Sequence, residues 1–313
     1  MHVALYTHSR LPVSGYGGTQ RVIVWLARGL AELGHKVSLL APIGSKVPEA
    51  ALVALDPKDL SRPGFDLSGH VPSGAEIVHA HTPLQTPTRQ PWVFTLHGNQ
   101  RAGQRAGDNV ICLSSDHARR HGTTAFVYNG VDPTDFVYRS KKADFDLFLG
   151  RLHRAKGYRW AIEGANRAGK RLVVAGGWRP SLRTSLRYVG SVDGGRKAAL
   201  LADAQCLWMP ALWDEPFGLT LVEALMSGTP LLGTRRGALP EIVSPDVGRL
   251  GDTLDDLILL RPSLATLDPE ACRARGEECF SHLSMAREYL RMYQQYLETA
   301  RLPAGRMVGD TGR

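Results

Sequence analysis

The sequence predicts an α/β protein built as two doubly wound parallel-sheet domains facing across a cleft. Three observations carry this. The chain has 313 residues, about twice the length of a common domain. Its 43% hydrophobic and 22% charged residues match a folded globular chain rather than a disordered, collagenous or membrane-spanning one. Short apolar runs alternate with amphipathic helical stretches, and the alternation starts afresh near residue 145. A strand reaches a parallel neighbour only through a long crossover, so this order is what helix-covered parallel sheets produce.

The elements follow in order. Residues 3–7 read as a buried strand, followed by a loop ending in Gly15-Tyr16-Gly17-Gly18. Over 19–33, Val22, Ile23, Leu26, Ala27, Leu30 and Leu33 share one helix face. Gly34 stops that helix and 37–40 give the next strand, completing a right-handed βαβ unit. Further strands are expected at 76–80, 91–96, 110–113 and 125–128, whereas 41–75, dense in Pro and Gly, reads as mostly irregular surface chain. Residues 129–133 read as a turn, and the charged stretch 139–144 has nothing apolar to bury except Ala143. The first domain is therefore set at 1–139 and the second at 140–283. Strands at 145–149, 171–175, 188–189, 205–209 and 230–232 repeat the scheme, with helices near 157–168, 196–203 and 219–227. Past 252 the chain turns helical. A terminal helix over 284–301 offers an aromatic and apolar face for packing, and residues 302–313 are expected to fray.

Lys and Arg number 38 against 30 for Asp and Glu, a net charge of +8. That balance favours an anionic partner: a phosphorylated small molecule, nucleic acid or an anionic lipid surface. Neither a recognition-helix motif nor an aromatic-basic stripe supports specific nucleic-acid binding. Peripheral contact with an anionic membrane stays open. Cys112, Cys206, Cys272 and Cys279 are too few for a disulfide scaffold, and no Cys or His pair has a structural-zinc spacing. Cys206, in an apolar run, reads as a buried thiol. The chain starts straight into a strand, without a basic leader and apolar core, which points to the cytoplasm.

Ligands of open α/β sheets bind beyond the carboxyl ends of the strands, so chemistry is sought there. Gly150-Arg151-Leu152-His153-Arg154-Ala155-Lys156-Gly157 follows one strand. Arg151 and Lys156 leave its edge together and can close on one anion, each charge-assisted hydrogen bond being worth about 1.5–3 kcal/mol. A solvated basic loop is the competing reading. In the segment from Trp213 to Leu225, Pro216 and Gly218 shape a tight loop before a helix starting at Leu219. First-turn amides and the helix dipole make a phosphate seat. Glu215 precedes this helix and Glu223 lies about one turn inside it; at about 1.5 Å rise per residue they cannot address the same point. One can meet a sugar at one end of a diphosphate and the other a ribose at the far end. Blandly, one is a surface acid and the other an exposed helix residue. Arg235 and Arg236 follow a later strand and either face the ligand or are solvated.

In the first half, Gly15, Gly17 and Gly18 let backbone amides approach an anion or sugar, without the spacing of a dinucleotide fingerprint. His97 follows the apolar strand before Gly98-Asn99 and can donate to a sugar hydroxyl or to developing negative charge; a structural role is the alternative. His79 and His81 flank another strand end, and at least one reads as packing.

In order and interval these residues resemble the retaining, nucleotide-sugar-dependent glycosyltransferases of family 4, whose GT-B fold has two Rossmann-like domains. The resemblance runs through Gly17-Gly18 and the helix after it, Gly34-His35-Lys36-Val37, Thr95-Leu96-His97-Gly98 and Asn129-Gly130-Val131-Asp132. It continues through Gly150-Arg151-Leu152 with Lys156-Gly157, the pair Glu215 and Glu223, and Gly237 with Pro240-Glu241. It implies transfer of a hexosyl unit from a nucleoside-diphosphate sugar, with UDP-glucose as the family's usual donor, to a hydroxyl acceptor, without a metal and with retention by same-face attack. Arg151 and Lys156 are implied to bind the diphosphate, Glu215 the sugar hydroxyls and Glu223 the ribose. The amides of Leu219 and Thr220, beside Gly218, would add phosphate contacts. Gly17 and Gly18 would lie beside phosphate and sugar, with His97 near the reacting centre. His97, Glu215, Arg151 and Lys156 are thus the implied catalytic set. The acceptor, a small molecule, a polysaccharide or a lipid-linked group, is assigned to the first domain, onto which the terminal helix packs back. The chain departs from the family at His153-Arg154-Ala155, where an acidic residue often precedes the lysine, and at Ala211, where serine is frequent. An epimerase or hydrolase of the same architecture and a non-catalytic nucleotide-sugar-binding protein are the competing readings.

Overall fold

Strand β1 (His2–Tyr6) is buried along its whole length, which its apolar run requires of a central strand. Helix α1 (Gly18–Glu32) covers it with Val22, Ile23, Leu26, Ala27 and Leu30, the face that the spacing predicts. Next come β2 (Lys36–Pro42), β3 (Ala51–Leu55), α2 (Pro57–Leu60), β4 (Ile77–Ala80), β5 (Trp92–Thr95), β6 (Val110–Ile111) and α3 (Ser115–Arg120). These come from a computed structural model that describes residues 1–309 apart from Ser14, Tyr16 and Ala102. Among the described residues the strands form one parallel sheet in the order β3-β2-β1-β4-β5-β6.

The second sheet is built from β7 (Asp146–Leu149), α4 (Tyr158–Arg167), β8 (Leu172–Ala175), β9 (Leu186–Gly190), α5 (Gly194–Asp203) and β10 (Leu207–Met209). It continues with α6 (Leu219–Met226), β11 (Leu231–Thr234), α7 (Leu239–Ile242), β12 (Gly248–Gly251), α8 (Leu254–Leu260) and α9 (Pro269–Phe280). Its order is β12-β11-β10-β7-β8-β9, again parallel. Asp146, fully buried at the start of β7, accepts from Arg261 Nε at 2.8 Å and Nη2 at 2.5 Å and from Trp208 Nε1 at 2.8 Å. The core against it includes Phe148, Trp208, Leu172 and Cys206, the last a buried thiol.

Each sheet belongs to its own Rossmann-like unit. Unit 1 holds Met1–Gly130 and the chain from His282 onward; unit 2 holds Val131–Ser281. The division thus falls before the boundary set from the sequence at 139/140. The chain is anchored in unit 2 from Val131 onward, whose N–H donates to Phe280 O at 2.9 Å, and the charged stretch follows it there. Lys142 Nζ donates to Ala202 O, Ser227 O and Thr229 Oγ1 at 2.9, 3.1 and 3.0 Å. A composition that reads as a solvated linker holds an ammonium closing the ends of α5 and α6.

The last helix, α10 (His282–Thr299), buries Met285, Ala286, Tyr289 and Tyr293 in unit 1, with Ala286 lying against Gly29 of α1. The chain beyond it does not fray at once. Pro303 is buried, Gly305 N–H donates to Thr124 O at 2.9 Å, and Arg291 donates to Ala304 O. Residues 310–313 lie outside the described residues. Two further expectations change. The stretch 41–75 contains β3 and α2. As an edge strand β3 fully buries Leu55 alone, so it lacks the apolar signature, while Asp56 caps α2 by accepting from Lys58 N–H at 2.8 Å. The strand expected at 125–128 is reduced to one parallel bridge between Cys112 and Phe126. None of the described helices is long and apolar enough to cross a membrane.

Candidate active site

In unit 2 the strands β11, β10 and β7 are neighbours and parallel, so the loops leaving their carboxyl ends meet. After β7 the chain makes one 3-10 turn, Arg154–Lys156, capped by His153 Nδ1 accepting from Ala155 N–H at 3.2 Å. Lys156 Nζ, at the end of this turn, donates to Glu215 Oε2 at 2.6 Å, and Trp213 Nε1 donates to the same oxygen at 2.8 Å. The ammonium also lies 5.0 Å from the centre of the Trp213 ring, within cation–π range. The Lys156 and Glu215 side chains are 16% and 10% exposed, a largely buried pair. Arg151 stands exposed on the same loop.

Two glycines let the loops meet. Gly157 has φ 71°, and a Cβ there would overlap the carbonyl oxygen of Pro210; beside it Leu212 N–H donates to Ala155 O at 2.8 Å. Gly237 has φ 59°, and its Cβ would overlap the Glu215 backbone, whose carbonyl accepts from Ala238 N–H at 2.9 Å. Only glycine tolerates this combination of left-handed φ and backbone approach. Glu215 is thereby held from three loops at once.

Helix α6 starts at Leu219 behind Gly218, with no side-chain cap. The amides of Leu219 and Thr220 belong to its first turn, where an α-helix has no internal acceptors. Inside the helix, Glu223 is 2% exposed, which corrects the bland reading of an exposed residue. Its Oε1 accepts from Lys197 Nζ of α5 at 2.6 Å. The sequence reading missed Lys197. The signal was there: it lies four residues before Leu201, on the face of α5 that buries Ala198, Leu201 and Ala202, where a lysine needs a partner. Each glutamate thus ties one oxygen to a lysine. Arg235 pairs instead with Asp252 at 2.9 Å in a solvated ion pair.

In unit 1, Gly17 caps α1 and Gly18 is its first residue; Tyr16 of the same loop lies outside the described residues. His97 follows β5 half-buried, its Nε2 sharing a hydrogen bond of 2.9 Å with His81 Nδ1. His81 packs against His79, the rings tilted by 36° with centres 4.1 Å apart. His79 is held at both nitrogens, by Thr95 Oγ1 at 2.7 Å and Tyr293 OH at 2.6 Å, and Thr95 bonds Tyr289 OH at 2.9 Å. The aromatic face of α10 therefore does more than pack: its two hydroxyls secure the ends of β4 and β5. Burial, helped by the neighbouring His117, drives the His97 ring down to about 3. Desolvation likewise holds His79 and His81 well below the usual histidine range. These rings are neutral at pH 7.

Two sequence profiles match the chain. "Glycosyltransferase Family 4" matches residues 16–135 and "Glycosyl transferases group 1" residues 146–259. The chain belongs to the family 4 glycosyltransferases. A solved structure of AviGT4, a glycosyltransferase involved in avilamycin A biosynthesis, matches 96% of this chain and 99% of its own with TM-score 0.79 and 28% identity, so the GT-B fold holds for both units. The MMP alpha-(1->4)-mannosyltransferase of Mycolicibacterium hassiacum is 38% identical over 109 residues, 31% of this chain and 26% of that protein. The phosphatidyl-myo-inositol mannosyltransferase of Mycolicibacterium smegmatis is 26% identical over 297 residues, 75% and 77% of the two chains. The chain thus spans about a quarter of the first relative's length and over three quarters of the second's.

Proposed function

We propose that this family 4 member is a retaining transferase. It moves a hexosyl unit from a nucleoside-diphosphate sugar to a hydroxyl acceptor, without a metal, in the cytoplasm. The observation that carries the reading is the pair of lysine–glutamate couples, Lys156–Glu215 and Lys197–Glu223, set around the start of α6. Glu215 Oε1 and Glu223 Oε2 are the oxygens left for sugar and ribose hydroxyls. Lys156, Arg151 and the amides of Leu219 and Thr220 take the diphosphate. Departure of the nucleoside diphosphate concentrates negative charge on those phosphates, and fixed cations and amides stabilise it more in the transition state than in the ground state. Attack on the face from which the leaving group departs gives retention. His97, as the resemblance implies, meets the sugar, and Gly17 and Gly18 offer backbone amides in unit 1.

A mass-spectrometric screen tests this: nucleotide sugars, UDP-glucose first, against a pooled acceptor extract, with donor-alone controls. Donor-dependent mass gain on an acceptor is expected. Rapid free-sugar release or isomerisation without acceptor would move the assignment to a hydrolase or epimerase. Glu215→Ala should depress transfer more than nucleotide affinity, and Lys156→Ala should weaken both. Equal, small effects would remove the assigned roles.

A further inference from the structure

The histidines behind His97 bear on how it works, an inference that rests on the assignment of His97 to the sugar. His81 is 6% exposed, and its Nε2 is buried with no hydrogen-bond partner among the described residues; its Nδ1 faces His97 Nε2 at 2.9 Å. A neutral imidazole carries one N–H. A proton on His81 Nε2 would be a buried donor without an acceptor. On Nδ1 it makes the bond to His97 and leaves only a bare lone pair behind. Orphaned buried N–H groups are rarer than under-used acceptors, because the lost bond costs the full desolvation of the donor.

We infer that His81 donates through Nδ1 to His97 Nε2 and so holds His97 in the tautomer that carries its proton on Nδ1. Nδ1 is the nitrogen of His97 that no described residue engages. His97 therefore offers a donor there, suited to a hydroxyl oxygen or an oxygen gaining negative charge, and it cannot take up a proton at that atom as a base. His81 is a positioning residue, itself packed against the ring of His79. A second buried ring repeats the device: Leu113 N–H donates to His117 Nδ1 at 3.2 Å, so His117 carries its proton on Nε2, which meets Gly98 O at 3.2 Å. The ring and the backbone after it are both fixed by neutral histidines.

Ring-15N labelling of histidine and long-range 1H–15N spectra read the tautomer in the whole, donor-free protein at pH 7, with His97 assigned by the signals lost in His97→Gln. The expected result is a proton on His97 Nδ1 and a bare Nε2. A protonated Nε2 with a bare Nδ1 overturns the inference. In His81→Phe the Nδ1–H form should lose its dominance and kcat for transfer should fall about tenfold, the worth of one hydrogen bond, with nucleotide affinity unchanged. His81→Asn, whose amide can donate from near the place of Nδ1, should recover most of the loss. An unaltered His97 tautomer in His81→Phe also overturns the inference, and the wild-type spectrum decides if the variants fail to fold. A protein that shows this tautomer yet transfers no sugar fails the transferase reading alone; an active transferase with the other tautomer fails the inference alone.

Discussion

Acid should weaken unit 1 far more than unit 2 through its histidines. Of the eleven histidines, only His153 falls in unit 2. His117 is fully buried and neutral, and desolvation, with the His121 and Arg120 charges, pushes it from 6.5 down to about 4. A folded-state value below the unfolded one means that the unfolded chain takes up the proton first. The stabilisation is therefore whole above pH 6.5 and is lost as pH falls towards 4. At about 1.36 kcal/mol per pH unit, His117 alone costs about 2.7 kcal/mol by pH 4.5. His97, His79 and His81 act in the same direction, against a total stability of about 5–15 kcal/mol. Hydrogen exchange resolved by peptide at pH 7 and 4.5, corrected for intrinsic rates, reads the two units separately. Amides of β1, β4 and β5 should lose about 3 kcal/mol or more of protection, and those of β7, β8 and β10 markedly less. His117→Gln should flatten the unit 1 slope by about 1.4 kcal/mol per pH unit between 6.5 and 4. Equal losses in the two units, or an unchanged unit 1, would show that the buried histidines do not set the acid sensitivity.

Gly157→Ala should leave unit 2 folded but displace the turn that carries Lys156, because the new Cβ overlaps Pro210 O. A misplacement of about 1 Å can cost on the order of 100-fold, read as kcat/KM with circular dichroism as the control. Lys197→Met leaves buried Glu223 without its cation; we expect a loss of about 3 kcal/mol in urea unfolding and weaker nucleoside-diphosphate binding by calorimetry. Arg261→Met strips Asp146, fully buried, of two hydrogen bonds and should cost about 3–5 kcal/mol, measured by chemical unfolding, with little change in the intrinsic affinity of the folded fraction.

Much of the architecture is legible because burial writes itself into apolar runs: β1 and the inner face of α1 can be read residue by residue. What escapes is whatever departs from that code for a local reason. β12, Gly248-Arg249-Leu250-Gly251, has no apolar run, since a Cβ at Gly248 would press on Leu231 O at 2.6 Å. β3 is an edge and buries little. The site shows the same division. Residues that leave strand ends, such as Lys156 and Glu215, announce themselves by position. Their pairing spans 59 residues of sequence and exists only once β7 and β10 lie side by side. The burial of Lys197 can be read from its helix face, but the glutamate it meets, like the residues met by the hydroxyls of Tyr289 and Tyr293, is a partner chosen by tertiary packing, which no local pattern names.

The proposed transfer requires a nucleoside diphosphate to be held by the turn after β7 and the start of α6. Hydrogen exchange of unit 2 amides with and without UDP, GDP or ADP addresses it most directly. The binding nucleotide should protect both 151–157 and 215–223, and Lys156→Ala should weaken protection in both. Protection confined to other segments, with these two unchanged while nucleotide is bound, would contradict it.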